Sequence, residues 1–387
     1  MKWLKNHRRA AYKMEEARKK AAAPKPGRLA VSVGCPSGVG PEVAVAAAVQ
    51  SRARVLLVGD LGALRAAARI RDIDPKRLER VDDPRVAFES KSRDVLFVYE
   101  PTKPLAVGDR APGRPTRAGG AAQLAWIDAA TDLVESGAAD ALVTGPVSKD
   151  VIARSGSKAA KKFRGHTEHL AERLDAPEVT MAFWTDRLTT SLVTTHLPLS
   201  EVPEAITSEE VARAVYWTGR FVAQLGSKGR LAVAALNPHA GEGGLLGTEE
   251  KRAIEPGIVR GRKRLERGGV TDIQVEGPVP AETAFRLAAN GGYVGVVAMY
   301  HDQATIPMKL LGFGEAVNVS LGLPIIRTSV DHGTAYDRAG KGTADPRGMI
   351  EAMSLAQILA RSDRALGGVR GRAGARPPAG GRREPPE

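Results

Sequence analysis

The chain has 387 residues, 43% of them hydrophobic, with 42 glycines, 25 prolines, one cysteine and a net charge of +13. That length suits one large or two medium α/β domains. The apolar runs are too short for a membrane-spanning helix, and Cys35 has no partner for an internal disulfide, so a reducing, cytoplasmic setting is expected.

The charge sits mainly at the ends: residues 1–26 carry +7 and residues 361–387 carry +4, which leaves +2 for the stretch between. Such tails support weak, salt-sensitive adhesion and say little about the folded body, so nucleic acid is not an expected partner. Met1 to Lys20 reads as a short basic helix without the apolar stretch of a secretory signal, and its Glu15 and Glu16 argue against organelle targeting.

From Arg28 onward, apolar runs of strand length alternate with helical patterns. Leu29 to Val33 predicts a strand that breaks at Gly34. Gly38-Val39-Gly40-Pro41-Glu42 then opens a helix toward Val49, with proline and an acid where free N–H groups suit them. Arg54 to Gly59 predicts a second strand. Leu124, Ile127, Thr131 and Val134 recur at helical spacing up to Gly137, and Ala141 to Val143 is strand-like again. This rhythm implies a mostly parallel sheet with crossover helices.

In such sheets ligands bind beyond the carboxyl ends of strands. Three apolar runs end at histidines: Thr190 to Thr195 leads into His196, Leu231 to Leu236 into His239, and Val294 to Tyr300 into His301. Three imidazoles converging from separate strands would bind a divalent metal and leave positions open for substrate or water. The long spacings and the lack of a CxxC pair argue against a structural zinc site.

His239 lies in NPHAGEGG (237–244), a glycine-rich loop that also holds Glu242. His166 and Thr167, in GHTE (165–168), precede a helical stretch; free N–H groups there suit an anion or an ordinary capping box. Lys309, Asn318 and Arg327 follow, and Arg327 ends an apolar run in which a cation needs a carboxylate or a ligand phosphate. Asp331 to Pro346 has no helical period and the length of a binding loop. No GxGxxG, P-loop or GxSxG pattern is present. Gly367 to Glu387, rich in Gly, Pro and Arg, is expected to be disordered.

Taken together, GCPSGVGPE (34–42), TGPVSK (144–149), GHTE (165–168), TTHLPL (194–199), LNPHAGEGG (236–244), GPVPAET (277–283), YHDQ (300–303) and GFGEAVNVSLGLPIIRTSVDHGTA (312–335) resemble the 4-hydroxythreonine-4-phosphate dehydrogenase family of pyridoxal phosphate biosynthesis. The resemblance implies two α/β/α domains with mostly parallel sheets, similar to isopropylmalate and isocitrate dehydrogenases. It also implies a homodimer whose active site lies in the cleft and at the subunit interface. The expected division is a basic extension 1–26, a domain of 27–140 plus 305–362 with the cofactor loop, a domain of 141–304 with the metal and substrate site, and a tail 363–387.

The same resemblance puts one zinc, magnesium or cobalt ion on His196, His239 and His301. It puts the phosphorylated substrate on His166, Thr167, Lys309, Asn318 and Arg327, and NAD or NADP on His332, Gly333 and Thr334. Asp302 and Lys149 are the candidate proton-moving groups, with orientation of His301 as the alternative for Asp302. The implied reaction oxidises 4-(phosphooxy)-L-threonine at C3 and decarboxylates the product. The alternatives are a dehydrogenase of threonate or erythronate 4-phosphate and a metal-dependent phosphoester hydrolase, which would have no use for the 332–346 loop. Three positions depart from the family pattern: Cys35 stands for an acid, Glu282 for Asp, and Ala304 for Gly.

Overall fold

The computed structural model describes residues 26–365. The expected N-terminal helix and most of the C-terminal tail therefore lie outside the described residues. Twelve strands form one continuous sheet: β1 Arg28–Ser32, β2 Arg54–Val58, β3 Leu78–Arg80, β4 Leu96–Tyr99, β5 Ala141–Thr144, β6 Thr180–Trp184, β7 Thr189–Leu192, β8 Gly229–Ala234, β9 Ile273–Val279, β10 Gly295–Ala298, β11 Val317–Leu321 and β12 Arg327–Val330. Their spatial order is β3-β4-β2-β1-β5-β12-β11-β6-β7-β10-β8-β9. The helices that bear on the site are α1 Gly40–Gln50, α2 Leu61–Ile70, α3 Arg117–Glu135, α4 Lys149–Ala153, α5 His166–Arg173, α6 Ser208–Gln224, α7 Glu255–Arg267, α8 His301–Gly312 and α9 Arg347–Ala365. None of the described helices is long and apolar enough to cross a membrane.

The chain is thus of the expected α/β class with a mostly parallel sheet, and the strands of its two halves join edge to edge. The join is the antiparallel part: β12 with β11, β11 with β6, and β6 with β7, while the other pairs are parallel. An odd number of reversals makes the two outer sets of parallel strands run in opposite directions. Strand sequences follow the burial: β1, β2 and β5 are covered on both faces by helices and read as nearly continuous apolar runs.

Apolar packing is divided. One large core gathers β1, β2, β4, β5, α1, α3 and α9 around Trp126, Leu56, Leu57 and Leu142, all fully buried. Two smaller cores cover the faces of β7, β8 and β10, one under α6 and α7 and one on the opposite face. The expected boundary at 140/141 falls inside the first core: β5 lies between β1 and β12, and Ile152, Phe163 and Leu170 pack with it. Helix α9 runs to Ala365, into the stretch assigned to the tail.

Trp126 is fully buried on α3, and its indole N–H donates to Thr102 Oγ1 at 3.3 Å. Trp126→Ala is expected to reduce the free energy of unfolding by about 3–5 kcal/mol, measured by denaturant melts. A loss below about 1 kcal/mol would show that this core re-collapses around the gap.

Candidate active-site cleft

A cleft of about 390 Å³ lies over the central strands and is lined from both halves of the sheet. From β6 come Met181 and Phe183, from β12 Arg327 and Ser329, and from β11 Asn318. Residues two apart on a strand share a face, so these side chains form the floor. The walls are the turns after β5 (Gly145 to Val147, then Lys149), after β12 (Asp331 to Gly333), after β7 (His196) and after β10 (His301), with Gly165 to Glu168 at the start of α5. Because the halves run in opposite directions, the site spreads over the sheet face instead of along a single crest of carboxyl ends.

Arg327 organises the floor. It is 3% exposed, and its guanidinium donates to Thr144 Oγ1 at 2.7 and 3.2 Å, to Ser320 Oγ at 3.0 Å and to Asn318 Oδ1 at 3.3 Å. These acceptors are all neutral, and no carboxylate lies within ion-pairing distance among the described residues. Burial pulls the Arg327 pKa down to about 9, with Glu168 opposing, so the group stays cationic at neutral pH. A buried cation held by neutral oxygens is a receptor for an anion. Thr144, which opens TGPVSK, and Ser320, two residues along β11 from Asn318, escaped the sequence reading. Period-two alternation on β11 was the available clue.

His166 and Thr167 form the first turn of α5, whose N-cap Gly165 supplies no side-chain cap. The N-cap half of a capping box is therefore missing, and Gly165 to Glu168 line the cleft. Thr167 Oγ1 lies 3.0 Å from Ser320 Oγ. His166 Nε2 is enclosed and has no hydrogen-bond partner among the described residues, and desolvation, then Arg327, His169 and Lys149, push its pKa well below the usual imidazole range. It is neutral at pH 7, with a ring nitrogen left for a ligand. Lys149 enters α4 behind Ser148, whose N–H is held by the buried Gln123 side chain at 3.0 Å.

His196 and His301 meet with ring centroids 5.3 Å apart. Their separation is set behind them: the Thr194 N–H and hydroxyl both donate to Met299 O, at 3.1 and 2.8 Å. Asp302 Oδ1 lies 2.7 Å from His301 Nδ1. An ionised carboxylate only accepts, so Nδ1 carries the proton and Nε2 presents a lone pair. Gln303 bridges the ends of β10 and β8, accepting from Met299 N–H at 2.7 Å and donating to Ala235 O at 2.9 Å.

His239 does not join this pair within the chain; no cluster of three or more metal-capable side chains exists among the described residues. Within one chain, the three expected histidines are thus two that meet and one that stands apart. Residues His239 to Gly243 form a left-handed turn with φ from 46° to 78°, three of them non-glycine. Left-handed backbone costs about 1–2 kcal/mol per L-residue, so the turn must be held. The buried Glu250 carboxylate does this by accepting the N–H groups of Leu236 and Asn237 at 3.0 and 2.8 Å and the Asn237 amide at 3.0 Å. His239 is thereby presented outward on a stiff, exposed turn. Glu250 carried no signal in the sequence, since it lies outside the histidine motif.

A second cavity of about 640 Å³ adjoins the first and shares Asp331, His332 and Gly333 with it. Lys309 lines this one and not the floor around Arg327. Thr334 lines neither; its carbonyl accepts the Val39 N–H at 2.9 Å. Other walls include Val39, Gly312 to Gly314, Ala335, Arg338, Thr343 to Asp345 and Arg347.

Arg327→Met is expected to abolish the rise in melting temperature that inorganic phosphate gives the wild-type chain. Thermal melts with and without phosphate measure this, and an undiminished rise would remove Arg327 from the anion site.

Residues 51–356 match the family described as pyridoxal phosphate biosynthetic protein PdxA. A 4-hydroxythreonine-4-phosphate dehydrogenase of Geobacter metallireducens is 41% identical over 347 residues, covering 88% of this chain and 98% of the relative. The solved structure of a 4-hydroxythreonine-4-phosphate dehydrogenase from Klebsiella pneumoniae superposes with a TM-score of 0.73 at 34% identity, covering 86% of this chain and 99% of the other. A terephthalate 1,2-cis-dihydrodiol dehydrogenase from Burkholderia xenovorans also shares the fold, with a TM-score of 0.60, 28% identity and 86% and 98% coverage.

Proposed function

Because the chain belongs to the family of the pyridoxal phosphate biosynthetic protein PdxA, we propose that it catalyses the NAD(P)-dependent oxidation of 4-(phosphooxy)-L-threonine at its C3 hydroxyl. The resulting β-keto acid loses CO₂ to give 3-amino-2-oxopropyl phosphate. The observation that carries this reading is one cleft holding a buried cation without a carboxylate partner beside a pair of imidazoles.

The chain's own groups divide the work. Arg327, with Asn318, the neutral His166 and the α5 N–H groups, holds the phosphate and fixes the distance from it to C3. Lys309 reaches the junction of the two cavities, where it neutralises charge on substrate or cofactor. The 332–346 loop carries the nicotinamide cofactor, with His332 and Gly333 facing the cavities and Thr334 bracing the loop against Val39. Lys149 is the group placed to take the hydroxyl proton as hydride leaves C3. Asp302 acts through His301, fixing its tautomer.

The pair of imidazoles in one chain fits two of the three ligands of a divalent metal site. His196 and His301 supply two nitrogens, and the exposed His239 of a second copy supplies the third. A zinc, magnesium or cobalt ion bound there would lower the alcohol's pKa and polarise the new carbonyl. Two exposed apolar groups support the pairing of copies: Leu245 and Leu246 follow the His239 turn, while Ile306, Leu310 and Phe313 extend from the helix that begins at His301.

The assay is NADH formation with 4-phosphohydroxythreonine and with threonate and erythronate 4-phosphates. Turnover of the amino acid alone supports the proposal, and turnover of a sugar acid alone moves the enzyme to carbon catabolism. His196→Ala is expected to lose both metal content and activity.

The shared site has its own test. His239→Ala and His301→Ala proteins, each inactive, are unfolded together and refolded at equal concentration. About a quarter of wild-type activity is expected, because half the dimers are mixed and each has one intact site. No recovery, with mixed dimers confirmed by mass spectrometry, rules out a site completed by the second copy.

A further inference from the structure

The loop from Asp331 to Pro346 contains no regular element, yet its backbone is held by two charged side chains, one at the start of α1 and one just after α2. Glu42, in the first turn of α1, is 3% exposed, and its two oxygens accept the N–H groups of Gly340 at 2.6 Å and Gly342 at 3.1 Å. Arg71, directly after α2, donates one guanidinium nitrogen to Gly342 O at 2.7 Å and Ala344 O at 3.0 Å. At the other end of the loop, Val39 N–H binds Thr334 O at 2.9 Å, and Cys35 Sγ lies 3.4 Å from Tyr336 OH.

The chemistry of this arrangement is asymmetric. Glu42 has no cation within ion-pairing distance among the described residues, so its buried charge is satisfied only by the loop's N–H groups. Opening the loop would leave that carboxylate buried and unpaired, which is far more costly than losing two neutral hydrogen bonds. Gly340 and Gly342 take φ of +80° and +67°, which aims both N–H groups at one carboxylate while the exposed Lys341 between them points away. We infer that Glu42 and Arg71 are positioning residues that hold the 332–346 loop in its cofactor-binding shape before any ligand arrives.

The inference rests on the cofactor role proposed for this loop. It adds that the cofactor meets a prebuilt wall, so binding carries little ordering cost. Neither residue touches the cleft around Arg327. Loosening the clamp should therefore weaken cofactor binding and spare both substrate binding and chemistry at saturation.

The test uses the full chain with Glu42→Gln, Arg71→Met and Arg71→Lys. Gln keeps the shape but places an N–H donor opposite one of the loop's own donors. Trypsin cleavage after Arg338 and Lys341, both exposed, is followed by mass spectrometry, alongside steady-state kinetics. In Glu42→Gln and Arg71→Met, cleavage there and the KM for NAD(P) should each rise about tenfold, the scale of losing a charged hydrogen bond. The kcat and the substrate KM should stay within about twofold of wild type, and Arg71→Lys should fall between.

If Glu42→Gln does not fold, the part-exposed Arg71 decides alone. Unchanged loop cleavage in the variants overturns the inference, as does faster cleavage spread evenly over the chain. A wild-type chain that oxidises nothing with either nucleotide defeats the function proposed above, while loop cleavage still decides the clamp.

Discussion

The reversal of strand direction at the middle of the sheet is the constraint from which the rest of this molecule follows. A parallel sheet gathers its loops along one edge, and two such sheets joined in the same sense would put the loops in a row. Here β11, β6 and their antiparallel contacts turn one half against the other. The turns after β5 and β12 and those after β7 and β10 consequently wall a cleft whose floor is the face of the central strands. Floor residues come from regular strands and wall residues from turns.

Uncompensated buried charge is the second theme. Arg327 lies among neutral oxygens, and Glu42 and Glu250 are each satisfied by backbone N–H groups. Each charge stabilises what it touches because the alternative is an unpaired ion in a poor solvent. Where the partners are loop backbone, as for Glu42 and Glu250, the charge shapes a loop. Where the partners are too weak, as for Arg327, the deficit is left for a ligand to fill. The left-handed turn at His239 illustrates the first case: strain at three non-glycine residues is held by a carboxylate eleven positions away.

Much of the fold was legible in the chain. The strand of Leu29 to Val33, the helix begun by Pro41 and Glu42, the helix through Leu124 to Val134 and the runs before His196, His239 and His301 all show in hydrophobic period and flanking Gly or Pro. Period reports which residues are buried within an element and says nothing about which elements lie side by side. The merging of the strands into one sheet, and the packing of 141–170 with the first half, were therefore out of reach.

The site divides in the same way. Residue type and placement pointed to the histidines, to Arg327 after its apolar run, and to the long loop before α9, because those features are local. Thr144, Ser320, Glu250 and the grip of Glu42 on Gly340 and Gly342 depend on contacts between segments far apart in the chain. The sequence by itself determined the α/β class, the elements and the inventory of chemical groups, since these follow from local period and side-chain chemistry. Only the tertiary structure decided that the rings of His196 and His301 meet while His239 lies on an exposed turn of its own. It also decided that Arg327 is a cation with no carboxylate partner among the described residues, because such facts depend on which distant atoms folding brings within a few ångströms.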